Sequence, residues 1–168
     1  MESNIAIGFL WFVAFLFSPS QQAALVKNIA EIQQLAARYM AFSAKKEQDV
    51  DRWREVFTAD GSYNAFGTPY GLDDFPSLLN SAPPGQYIGN VPVVEFDGDT
   101  ASGTQHYVFI DQTNHKMRLG WYTDEYVRSS DGWRIRRRTT TFMRRNGGFD
   151  HGNAHDPSRF VAGQAIAE

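Results

Sequence analysis

The sequence predicts an α+β domain with helices first and a long antiparallel sheet after them, and three observations carry that prediction. Residues 25–43, LVKNIAEIQQLAARYMAFS, repeat apolar side chains at helical spacing. Residues 86–111, QYIGNVPVVEFDGDTASGTQHYVFID, read as two strands around Asp97-Gly98, a dipeptide suited to the φ > 0 positions of a tight hairpin. A second hairpin follows around Ser129-Ser-Asp-Gly132. At 168 residues the chain is one domain with enough length to bury a core.

Taken in order, the first helix places Ile29, Ile32, Ala36 and Tyr39 on one stripe, which Leu25 and Leu35 widen. After a charged connection, residues 49–57 predict a short helix that buries Val50, Trp53 and Phe57, and Ala59-Asp60-Gly61 stops it. Residues 62–66 read as a first strand and 67–71 as a turn. Residues 72–80 predict a third short helix, with Pro76 in its first turn where the missing N–H costs nothing. The two hairpins then supply the sheet.

Register assigns faces. If Asp97 and Gly98 form the turn, Phe96 faces Asp99 and Gln86 faces Phe109. Directly opposed residues share a face. One face then carries Gln86, Ile88, Asn90, Val94, Ala101, Gly103, Gln105, Tyr107 and Phe109, with Asp111 just beyond. In the second hairpin, Trp133, Ile135, Arg137, Thr139 and Thr141 share a face with Tyr122, Asp124 and Tyr126, and Arg134, Arg136 and Arg138 take the other. Large apolar groups stand on both faces, which predicts helices on one side and a partner subunit on the other, a homo-oligomer of two or three copies.

Composition excludes several classes. Sixteen basic against nineteen acidic residues give a net charge of −3, with no general attraction for nucleic acid. The arginines of RIRRRTTTFMRR alternate between two faces with Asp124 and Glu125 on the facing strand, which predicts cross-strand ion pairs. Cysteine is absent, so disulfides, zinc–thiolate sites and cysteine nucleophiles are excluded. No cofactor motif is present. His151 and His155 have i, i+4 spacing, but Gly152, Asn153 and Pro157 argue against the helix a metal pair needs. Residues 5–17, IAIGFLWFVAFLF, suit a signal-peptide core followed by small residues, although the leading MESN lacks a basic residue. An exported or periplasmic protein, an uncleaved anchor and a cytoplasmic protein with a misplaced start all stay open. Residues 1–20 are set apart from a domain spanning 21–145, and 146–168 read as an irregular arm.

Three stretches carry a family resemblance: YMAFSAKKEQDVDRWREVFTADGSY, QYIGNVPVVEFDGDTASG and WYTDEYVRSSDGWRIRRR. Together, over roughly residues 28–143, the chain resembles SnoaL-like proteins of the nuclear transport factor 2-like superfamily. The resemblance implies a cone-shaped α+β barrel whose strongly bent antiparallel sheet and helices enclose a pocket. That superfamily holds scytalone dehydratase, a bile-acid dehydratase, polyketide cyclases, ketosteroid isomerase and epoxide hydrolases, and also non-catalytic binding modules. Its dehydratases use a tyrosine in the first helix, an aspartate soon after it and a histidine before the Asp-Gly turn. Tyr39 matches the tyrosine; the aspartate position falls on Ala44 or Lys46, and the histidine position is Gln86. The usual His–Asp acid/base pair is therefore absent.

Candidate chemistry then falls to Asp111 and Asp124, the carboxylates that parity directs inward among Tyr107, Phe109, Tyr122 and Tyr126. With Tyr39 as hydrogen-bond donor, either suits proton transfer beside a carbonyl. The competing account puts Asp111 in the 111–116 connection and has Asp124 bond Thr139 or pair with Arg137. Gln86, Asn90 and Gln105 are candidate ligand-orienting amides beside Tyr63 and Trp53. His106 falls on the opposite face. Two functions remain open: a cofactor-independent lyase, isomerase or cyclase acting on a hydrophobic oxygenated substrate, and a non-catalytic ligand-binding or assembly module.

Overall fold

The computed structural model describes residues 18–143. The apolar stretch 5–17, the arm after Asn146 and the pair His151 and His155 lie outside the described residues. Helix α1 (Pro19–Lys45) begins earlier than its periodicity predicts because Ser18 caps it: its hydroxyl accepts from the Gln21 N–H, and the Gln21 side chain returns the bond. The helix ends where Lys46 turns left-handed at φ 54° and the Glu47 N–H reaches back to the Phe42 carbonyl at 2.9 Å. Ile32, Leu35, Ala36, Tyr39, Phe42 and Ser43 are its buried stripe.

Helix α2 (Val50–Arg54) is capped by the Asp49 side chain and is shorter than expected, because Phe57 already belongs to strand β1 (Phe57–Ala65). Residues 68–71, expected as a turn, form strand β2 (Thr68–Gly71), hairpinned to β1 through Phe66 and Gly67, both at positive φ. A 3-10 turn (Leu72–Asp74) leads into α3 (Phe75–Ser81), with Pro76 in its first turn as the sequence predicts. Strands β3 (Gly85–Gly89), β4 (Val93–Asp97), β5 (Thr100–Asp111), β6 (Met117–Ser129) and β7 (Gly132–Phe142) follow among the described residues.

The sheet runs β2-β1-β7-β6-β5-β3, with β4 also on β5. It is open and mixed: β1 pairs with β7 in parallel, a contact that hairpin reasoning does not reach. The three helices cover its inner face, and the core between them is aromatic, with Trp53, Phe57, Phe75, Tyr39, Tyr122 and Trp133 buried together.

Two irregularities decide which side chains face that core. In the first hairpin the turn residues are Gly98 and Asp99, so Phe96 faces Ala101 instead of Asp99. Only Gly98 takes positive φ (59°), as the first loop residue of a type II′ turn does. This slip of two leaves the β4 parity unchanged. Further out, three residues from Asn90 to Pro92 lie across from Gln105 and His106. Gln86 therefore pairs with Ile110, and Tyr87 with Phe109. The expected row is corrected: Tyr87 faces inward, whereas Gln86 and Ile88 face out. In the second hairpin Tyr126 faces Ile135 but Glu125 faces Arg137, so Arg136 is an extra residue. Beyond it Arg138 and Thr140 take the face of Asp124 and Tyr122, which the uninterrupted count had assigned to Arg137 and Thr139.

Candidate functional site

A cavity of about 270 Å³ opens between the helices and the inner face of the sheet. Tyr39 of α1, Trp53 of α2 and Phe75 of α3 form its helical side. Tyr63 of β1, Tyr87 of β3, Tyr107 and Phe109 of β5 and Tyr122 of β6 form the sheet side. Ser81, Pro83 and Arg118 are exposed and mark its mouth. An engineered cavity of about 150 Å³ suffices for benzene, so this space suits a ring carrying several substituents or a compact bicycle.

Tyr39 is the hub. Its ring meets Tyr122, Trp53 and Phe57 edge-on with centroids 5.3, 5.8 and 6.0 Å away. Tyr107 and Tyr122 stack at 4.4 Å, a contact that aims both hydroxyl ends from one slab of sheet. The Tyr39 and Tyr63 rings also lie side by side with centroids 6.1 Å apart, and the Tyr107 hydroxyl bonds that of Thr140. The Tyr107 and Thr140 oxygens are 3.0 Å apart. Burial pushes the phenols of Tyr39, Tyr63, Tyr87, Tyr107 and Tyr122 above the usual tyrosine value. At neutral pH these groups are hydrogen-bond donors, not bases. The described wall contains no carboxylate and no imidazole.

The two carboxylates considered as acid/base groups are engaged elsewhere. Asp124 and Arg138 are both fully buried, and Arg138 Nε and Nη2 donate to Asp124 Oδ1 and Oδ2 at 2.7 and 2.6 Å. The Tyr126 hydroxyl donates to Asp124 Oδ2 at 2.7 Å. Arg138 then lies under two rings, its guanidinium carbon 4.1 Å from the centre of Tyr39 and 4.3 Å from that of Tyr122. Burial opposes the guanidinium charge, but the attraction and hydrogen bonds of Asp124 outweigh it and hold Arg138 above its ordinary value. Arg137, the expected partner, instead meets Glu125 on the outer face at 3.3 Å. Asp111 closes β5, where its Oδ1 accepts the Thr113 and Asn114 N–H groups at 2.8 and 3.3 Å.

The amides also separate from the cavity. Gln86 is exposed on the outer face. Asn90 sits in the bulge; its carbonyl accepts from Gln105 Nε2 at 2.9 Å and its Oδ1 from the His106 N–H at 2.8 Å. Gln105 is buried beside a groove between α1 and β3. Of the residues singled out from the sequence, Tyr39, Trp53, Tyr63, Tyr107, Phe109 and Tyr122 line the cavity together, while Tyr126 lies behind it on Asp124. Sequence reasoning missed Tyr87, Arg118, Phe75 and the Arg138 ion pair. Pro92, which cannot donate to a ladder, was the available sign that pairing breaks before Tyr87. Arg118 stands directly across from Phe109, so its inward parity was readable from the hairpin.

A model of the SnoaL-like domain matches residues 25–139. Uncharacterized protein Rv2910c of Mycobacterium tuberculosis is 36% identical, over 70% of this chain and 87% of that protein. An NTF2-like protein with a cystatin-like fold from Novosphingobium aromaticivorans superposes with a TM-score of 0.62 at 22% identity, over 74% of this chain and 90% of its own. The type 3 hexachlorocyclohexane dehydrochlorinase LinA of Novosphingobium barchaimii superposes with a TM-score of 0.61 at 17% identity, over 72% and 90%. These two structures share the fold. Helices over a curved sheet, an interior pocket of small-molecule size and a family match across most of the described residues agree: this chain belongs to the SnoaL-like family.

Proposed function

We propose that this domain binds a compact, hydrophobic, oxygen-bearing molecule in the aromatic cavity and holds its oxygen with tyrosine hydroxyls. One observation carries this reading: the described wall has five protonated phenols and no group that accepts a proton near neutral pH. Rings supply apolar contact, and the phenols of Tyr39, Tyr63 and Tyr107 supply donors for a carbonyl or phenol oxygen. The enzymatic alternative is a cofactor-independent lyase, isomerase or cyclase using Asp111 or Asp124 with Tyr39. Its support is the shared fold of a dehydrochlorinase. Against it stand the bidentate Arg138–Asp124 pair and the turn bonds of Asp111.

The bicyclic ketone 1-tetralone and its hydrocarbon counterpart tetralin separate the readings. Calorimetric titration is expected to show tighter binding of the ketone, with Tyr39→Phe or Tyr63→Phe removing about 1 kcal/mol of that preference, the worth of one hydrogen bond. A panel of β-hydroxyketones is expected to bind without losing water. Turnover that follows pH and disappears in Asp111→Asn or in folded Asp124→Asn would establish the proton-transfer reading instead. A homo-oligomer of two or three copies belongs to the same proposal, supported by Ile88, Met117 and Leu119, which stand exposed on the outer sheet face. A monomer in sedimentation equilibrium would end that part of it.

A further inference from the structure

Arg118 is the one charged side chain on the described cavity wall. It lies at the start of β6 on the inward face, directly across from Phe109, with its guanidinium carbon 4.5 Å from the centre of that ring. That position over the ring occupies one face of the cation and leaves guanidinium N–H groups for a second partner. No described carboxylate forms an ion pair with it. Asp111, two residues beyond Phe109, has committed Oδ1 to the turn that follows. The cavity is therefore polarised: phenol hydroxyls lie inside, apolar rings surround them, and a single cation stands at the exposed mouth.

We infer that the ligand of this cavity is an aromatic anion, a carboxylate or an acidic enolate, whose ring system lies between Tyr87, Phe109 and Trp53 and whose negative group docks on Arg118. The inference rests on the binding reading of the cavity and narrows it to a chemical class. Geometry supports an anion over a neutral molecule. A planar oxyanion matches the fork of a stacked guanidinium with two parallel hydrogen bonds, and the apolar wall beside it strengthens the attraction relative to open water. A cationic ligand would meet Arg118 at the mouth and no compensating carboxylate inside. The interior phenols then take a second oxygen, so a ligand with oxygens at both ends of a one- or two-ring frame is favoured.

2-Naphthoate and 2-naphthamide have nearly the same shape and differ in charge. Calorimetric titration of the full-length chain with each, in wild type and Arg118→Gln, tests the inference; Arg118 is exposed, so the variant removes a cation at the mouth and no buried side chain. The expected result is that wild type binds naphthoate at least fivefold more tightly than naphthamide. Arg118→Gln removes that preference, weakening naphthoate at least fivefold more than naphthamide. Competition between the two probes confirms one shared site. If both bind equally to wild type, the anion assignment is overturned and the neutral-ligand cavity stands. If neither binds, or Arg118→Gln leaves naphthoate unaffected, the assignment is likewise overturned; absence of all binding, tetralone included, also removes the cavity reading on which it rests.

Discussion

Asp124 and Arg138 meet in the middle of an aromatic core, where each charge has lost its water and depends on the other. Such a pair gains its Coulomb energy only after desolvation has cost nearly as much, so its worth appears when one partner is removed. Asp124→Leu is expected to cost about 3–5 kcal/mol in urea unfolding, because Arg138 keeps its charge under Tyr39 and Tyr122 with nothing to balance it. The double variant Asp124→Leu/Arg138→Met is expected to recover most of that loss. A double variant as unstable as the single one would mean that packing, not charge, sets the cost. Arg138 Nη1 has no partner among the described residues, so even the intact pair is incompletely satisfied. The pair also explains why Asp124 suits a structural role: two guanidinium bonds and the Tyr126 hydroxyl occupy its oxygens.

Strands β3 and β7 each owe their inward residues to one extra residue. The Arg136 irregularity brings Arg138 and Thr140 to the inner face, and the Asn90–Pro92 segment turns Tyr87 inward and Gln86 outward. Glycines mark where the strands press closest. A Cβ on Gly120 would run into the Thr141 carbonyl and stand 3.1 Å from the Tyr107 hydroxyl, whereas one on Gly98 would meet open space. Gly120→Ala is therefore expected to lower stability by about 1–3 kcal/mol, the cost of overpacking. Gly98→Ala meets no clash, yet the positive φ of the first residue of a type II′ turn strains any L side chain, so it is expected to cost about 1–3 kcal/mol through the backbone alone. A Gly120→Ala variant as stable as the parent in chemical denaturation would contradict this picture of the β6–β7 contact.

Six tyrosines, four of them buried and Tyr63 and Tyr87 partly so, have phenols held above their usual value, and loss of water is the leading cause for each. The sign follows directly. Below pH of about 10 both folded and unfolded phenols are protonated, and this stabilisation is fully present. As pH rises further, the unfolded state loses protons first, and each such tyrosine withdraws up to about 1.4 kcal/mol per pH unit. Against a typical stability of about 5–15 kcal/mol, the whole domain is expected to unfold within one or two units above pH 10. Tyrosinate absorbance at 295 nm and the loss of far-ultraviolet circular dichroism should then rise together in one step. Gradual ionisation with the native spectrum retained would show that the tyrosines are less enclosed than the cavity implies.

The α+β class, the helix that carries Tyr39, the two hairpins and the family resemblance were legible because each rests on local rules: 3.6-residue spacing, alternation, and the residues that turns require. Tyr107, Phe109 and Tyr122 were named as candidates from strand parity, since β5 and β6 pair without interruption, and Tyr39 from its helical stripe and the family resemblance. Gln86 and Arg138 were assigned to the wrong faces because one unpaired residue inverts every side chain beyond it. The parallel contact between β1 and β7 joins segments far apart in the chain, and no local pattern encodes it. So alternation can say which residues travel together along a strand. Which of them reach the cavity, and that Asp124 spends its charge on Arg138, depends on bulges and long-range pairing that form only when the core packs.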